Sequence, residues 1–183
     1  MSKQSSSFSA SLIELATYIA NRFEGDSRFG LLKLAKIIFF CDQEYFRRHG
    51  ETFTDYHFYA WKNGPFNASL YKLDQVDHLT WDEGPSSQQR ILVSTRAFDD
   101  TVIPIEVRDI ADSFIESFMP MTFDEVSNYS HGVAWQISRG ETDSNSGPEI
   151  PFSLYYLGEP EQLPRELEEL LMSSIREAGN DPA

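Results

Sequence analysis

Four histidines, one cysteine and a surplus of carboxylates are the side chains here with obvious reactivity. Their spacing decides which chemistry is open to them. His49, His57, His78 and His131 form no HxH, HxxxH or HExxH, and a single cysteine does not complete a zinc site. GxGxxG, GxxxxGK[ST] and GxSxG are absent, and Gly140 and Gly147 stand alone. Neither a phosphate cradle nor a serine nucleophile elbow therefore has a motif behind it. Asp99, Asp100 and Glu106 are the acids nearest to a metal-dependent nuclease cluster. No lysine follows at the offset such a site uses, and negative charge at a helix N-terminus accounts for them.

Three polar groupings remain. Asp42 lies in line with Ala35, Ile38, Phe39 and Phe46 on a helix, so burial would force it to find a partner. A structural hydrogen bond to the aromatic segment after that helix is favoured over catalysis. Lys33 and Lys36 are one turn apart beside a very apolar face; snorkelling of their stems around the helix edge is favoured over a binding role. His131 and Trp135 flank Gly132 and read as a packing corner, the imidazole satisfied by backbone, rather than as a general base. Cys41 reads as a small core hydrophobe. None of these amounts to a catalytic centre; a hydrolase using Asp42 or His131 would need a cleft with convergent polar groups.

The elements that must position them centre on Leu31–Pro65. Leu31, Leu34, Ala35, Ile38, Phe39, Tyr45 and Phe46 recur at helical spacing, and Ile37, Phe40 and Cys41 widen the face. So wide an apolar surface predicts a helix buried at the middle of a domain. Its polar side is a narrow line of Lys33, Lys36, Gln43 and Arg47. Glu44 and Arg48 make an i,i+4 pair, and Gly50 is a natural left-handed cap. The aromatic stretch Tyr56–Pro65 reads as extended, ending in a turn.

A first helix is expected from Ser11, with Glu14 completing a capping box, to Gly25. Pro65 is placed to open a third helix, Phe66 to about Val76. Residues 78–82 and 90–95 have the composition of a hairpin, lying on the helices or pairing with 52–59. Pro104 opens a helix over Val107–Phe118, and Thr122 with Glu125 caps a short one ending at His131-Gly132. Val133–Arg139 is a further helical turn or a loop, 141–148 a loop, and Leu154, Tyr155 and Leu157 belong to a short docked element. Pro164 begins a last helix ending at Gly179. The fold class expected is mainly α (α+β), a compact helical domain over 9–178 with one small antiparallel ribbon, a disordered lead-in over 1–8 and a tail over 179–183.

The chain of 183 residues is 40% apolar and 14% aromatic, ample for one packed core. One cysteine excludes a disulfide framework and points to the cytosol. No apolar run reaches the roughly 18 residues that cross a bilayer, and MSKQSSSFSASL lacks a signal peptide's apolar region. No membrane association is expected. Net charge is −14, divided as +2 over residues 1–50 and −16 over 51–183. That acidity argues against direct nucleic-acid binding and suits solubility or docking on a basic partner. No cofactor or metal is implied.

KLAKIIFFCD, then FYAWKNGPFNASLY, then SHGVAWQISRG with Ile150 downstream, resembles the Panacea domain, the SocA-like antitoxin family also known from phage-associated proteins. Asn63 stands where that pattern usually has an aromatic, and Ala134 where proline often precedes the tryptophan. The resemblance covers roughly residues 30–157. It implies a helical module, not an enzyme, that neutralises a cognate protein toxin of a toxin–antitoxin system by direct binding. An adaptor delivering the toxin to a AAA+ protease is the alternative. The scaffold residues implied are Lys33, Lys36, Asp42, Trp61, Gly64, Pro65, Tyr71, His131 and Trp135, with Trp61 and Trp135 as large buried anchors; the partner-binding residues are not implied.

Overall fold

The computed structural model describes residues 8–157, apart from 24, 25, 27 and 85–88. The N-terminal lead-in before Phe8 and the Pro164–Gly179 helix lie outside the described residues. So do Gly25 and most of the second hairpin's turn.

The expected central helix is α2, Leu31–His49. From Leu31 to Gln43 every residue but Leu32 is buried, because helices or strands pack on it from several sides. Phe39 sits among Phe40, Phe58 and Tyr155, each ring 5.3 Å away and edge-on, an arrangement that aromatic quadrupoles favour. The helix ends as expected: Gly50 takes φ 77°, and its N–H donates to Phe46 O at 2.8 Å. Three of the four residues on the narrow polar line do not face water: Lys33, Lys36 and Gln43 are buried with the rest, the first two under the carbonyls of Met119 and Pro65, while Arg47 is partly exposed.

Helix α1, Ala10–Arg22, starts earlier than the sequence suggests. Its cap is Ser9, whose hydroxyl accepts from Leu12 N at 3.1 Å. The capping box expected from Ser11 and Glu14 does not form. Glu14 turns inward instead, where it pairs with Arg96 and accepts from the Asp99 amide at 2.9 Å. A charged partner reaching over from the 94–99 loop offsets the cost of burying that carboxylate.

Strands β1 (Tyr59–Trp61) and β2 (Gly64–Phe66) form a tight antiparallel hairpin, with Ala60 opposite Pro65 and Trp61 opposite Gly64. Pro65 therefore belongs to a strand and does not open a helix. The turn, with Gly64 at φ +90°, carries the chain back before any helix begins. A 3-10 helix, Ala68–Gln75, follows behind an Asn67 cap, in place of an α-helix from Phe66. Strands β3 (Leu79–Glu83) and β4 (Arg90–Ser94) make the expected hairpin, with β4 against α1. It does not pair with 52–59, so the described residues hold two small ribbons where one was expected.

Helix α3 (Ile105–Phe118) packs along α2. Helix α4 (Phe123–Tyr129) carries the full Thr122–Glu125 capping box. Helix α5 (Val133–Arg139) carries Trp135. The loop over 141–148 then runs beside β1: Lys62 N donates to Asn145 O, Ala60 N to Pro148 O and Ile150 N to Phe58 O, all at 2.8–2.9 Å. A last 3-10 helix, Phe152–Tyr156, buries Tyr155, and Arg47 holds it through the carbonyls of Tyr155 and Leu157. The class is mixed α+β and mainly helical, as expected.

Candidate functional site

Six of the nine scaffold residues meet at one junction. Lys36, on the inner side of α2, is 1% exposed, and its Nζ donates to Pro65 O at 2.7 Å. Burial pushes its amine well below the ordinary lysine range. It does not snorkel, because the β1–β2 hairpin brings a carbonyl to it inside the core. Gly64 makes that approach possible: a Cβ there would lie 2.0 Å from Ser130 Oγ and 2.8 Å from Lys36 Nζ.

Helix α5 clamps the other side of the hairpin. The Trp135 indole N–H donates to Trp61 O at 2.8 Å. The His131 ring lies parallel to the Trp135 ring, 3.8 Å between centres. Burial, and then the nearby Lys36, hold the His131 imidazole below its usual range, opposed by its bond to the Lys62 backbone. Among the described residues its Nε2 is buried without a hydrogen-bond partner. Both tryptophans are partly buried rather than fully so.

Arg139 and Ser130 belong to the same junction, although sequence reasoning did not select them. Arg139 Nη1 donates to Ala60 O at 2.7 Å and Nη2 to Ser144 O at 2.6 Å, while the guanidinium lies over the Trp135 ring. Its position one helical turn after Trp135 and next to Gly140 was the available signal. The Ser130 hydroxyl donates to Ser127 O at 2.7 Å.

These side chains chiefly hold main-chain carbonyls, a clamp that fixes the hairpin between α2 and α5. Among the described residues no group of three or more His, Cys, Asp or Glu is placed to hold a metal.

Asp42 lies farther along α2 and is fully buried. It accepts from Thr54 N at 2.8 Å and from the Thr54 hydroxyl, which is the structural bond to the aromatic segment that its position suggested. Burial pushes its carboxyl up to about 7 against the opposing Thr54 bonds. Cys41 is buried, its thiol pushed well up by desolvation, and so behaves as a hydrophobe. Asp99 caps Thr101, while Glu106 pairs with Arg48 and His49; the imagined nuclease cluster is thus divided between two sites.

Lys33 and Tyr71 stand apart from the junction, on a cleft of about 700 Å³ at the N-terminal end of α2. Arg28, Tyr71 and segments 30–33, 89–90 and 119–123 line it. Arg28, Lys33 and Arg90 contribute three cations, and none of its described lining residues is acidic. Tyr71 and Phe123 are 47% and 45% exposed. Helix α2 begins there at Gly30, which has no side chain to cap it.

Residues 34–136, more than half of the chain, match the family model described as antitoxin SocA-like, Panacea domain. No curated protein and no solved structure matches.

Proposed function

The chain belongs to the antitoxin SocA-like Panacea domain family, and from that premise we propose that it binds and neutralises a cognate protein toxin in the cytosol. The family match carries this reading. The clamp geometry supports it: the family-motif side chains fix a rigid α2–hairpin–α5 platform and leave binding to the outside. The acidic second half of the chain, −16 over residues 51–183, suits a partner with a basic face, whose approach it would steer.

A second reading, an adaptor passing the toxin to a protease, needs two separate partner surfaces. Exposed apolar side chains do occur at both ends of α2: Tyr71 and Phe123 at its start, Tyr156 and Ile105 near its end. A helix of 19 residues holds such ends roughly 28 Å apart.

The test is co-expression with the neighbouring reading frame under separate inducers. The neighbour alone should arrest growth, and this chain should restore it and co-purify with the neighbour's product as a stable complex. Rescue without a complex, or no rescue, overturns the proposal. Rescue that disappears in a protease-deficient host selects the adaptor reading.

A further inference from the structure

The cleft at the start of α2 is locally cationic in a chain of net charge −14. Its least satisfied group is Lys33. That residue is 7% exposed, and among the described residues its Nζ has one long bond, 3.4 Å to Met119 O, with the Asp26 carboxylate acting on its charge from farther off. An ammonium carries three donors, and a desolvated cation with so little compensation gains strongly from an anion placed beside it. Arg28 is already gripped by Asp26 at 2.8 and 3.0 Å, and Arg90 lies over the Tyr71 ring. The uncapped first turn of α2 adds partial positive charge at the same wall. The remainder of the wall is apolar and adaptable: Leu31, Leu32, Met119, Met121 and Phe123. Flexible methionine surfaces of this kind accept protein segments of varied shape.

We propose that this cleft seats a carboxylate-bearing apolar segment of the protein partner, with the carboxylate at Lys33 and Arg90 and the apolar side chains between the methionines and Phe123. The inference rests on the reading of the chain as a protein-binding module. Charge favours a protein segment over a nucleotide. A polyphosphate feels the whole acidic field of this chain, and that repulsion grows with its charge. A single carboxylate carried on a basic protein is steered inward by its surroundings and captured locally.

The test uses the full chain, isotope-labelled for NMR, titrated with the synthetic peptide acetyl-Leu-Asp-Leu-Phe-amide. Saturable shifts are expected at the amides of Leu31, Leu32, Lys33 and Arg90. The analogue with Asn for Asp should bind about tenfold more weakly or worse, as should Arg90→Glu with the original peptide. Lys33→Met should also weaken binding while leaving the fold no less stable, which separates a binding role from a structural one. Equal affinity for the Asp and Asn peptides, no saturation, or displacement by ATP at lower concentration than the peptide requires would overturn the proposal. No toxin enters this titration, so the cleft can fail while neutralisation stands, and the reverse.

Discussion

Lys36 Nζ lies 2.7 Å from the carbonyl oxygen of Pro65, with no carboxylate among the charges that shift its amine. A lysine in that position is held by one backbone oxygen and by the packing of its stem. Truncating Lys36→Ala removes both and should cost about 3 kcal/mol or more. Lys36→Met keeps the stem and removes the desolvated nitrogen, so its cost should stay within ~1 kcal/mol. Because the amine sits below its unfolded value, the unfolded chain binds more protons between the two, and the parent gains stability as pH rises through that window. The methionine variant should lack that slope. Urea unfolding at several pH values, followed by tryptophan fluorescence, measures all three.

Gly64 should tolerate no side chain. Its φ of +90° is unfavourable for any L-residue, and a Cβ would overlap Ser130 Oγ. Gly64→Ala is expected to lose on the order of 3 kcal/mol, from backbone strain and overpacking together. A shift of the urea midpoint without a change in slope is the signature.

Asp42 makes acid stabilising over a defined range. Its folded carboxyl titrates at about 7, above an unfolded value of 3.8, so between these the folded chain binds the extra proton. The stability this supplies is fully present below pH 3.8 and is lost as pH rises through 7. The loss is on the order of 4 kcal/mol. Asp42→Asn, which keeps an acceptor for Thr54 N, should remove that pH dependence; a slope unchanged in the variant would contradict the assignment.

Trp135→Phe keeps an aromatic ring beside His131 but removes the indole N–H that donates to Trp61 O. The expected cost is about 1–2 kcal/mol. Hydrogen exchange should also quicken at the β1–β2 hairpin more than in α2, since α5 clamps the former.

What the sequence made legible was the part governed by local pattern. The apolar periodicity of Leu31–Phe46, the left-handed Gly50 and the Thr122–Glu125 box all appear where spacing placed them. What stayed hidden depended on partners distant in the chain. Glu14 has the spacing of a local cap and instead pairs with Arg96, 82 residues away. Lys36 has the setting of a snorkelling side chain, because nothing local indicates that Pro65 brings an acceptor inside. Pro65 itself fits a first helical position as well as it fits the strand it joins. Asp42 was readable because its partner, Thr54, follows just beyond its own helix. Arg139 was missed because a buried arginine is recognised from the carbonyls that receive it, and those belong to β1 and to the loop after α5.

The central claim is that this chain acts by gripping another protein. Calorimetric titration of the purified chain with the product of the adjacent reading frame, at low and high salt, tests it most directly. The account predicts saturable binding that weakens with salt, and weakens again when the acids of 99–125 and 159–169 are neutralised. Growth rescue in cells with no heat of binding in vitro, or binding indifferent to both salt and those acids, would contradict it.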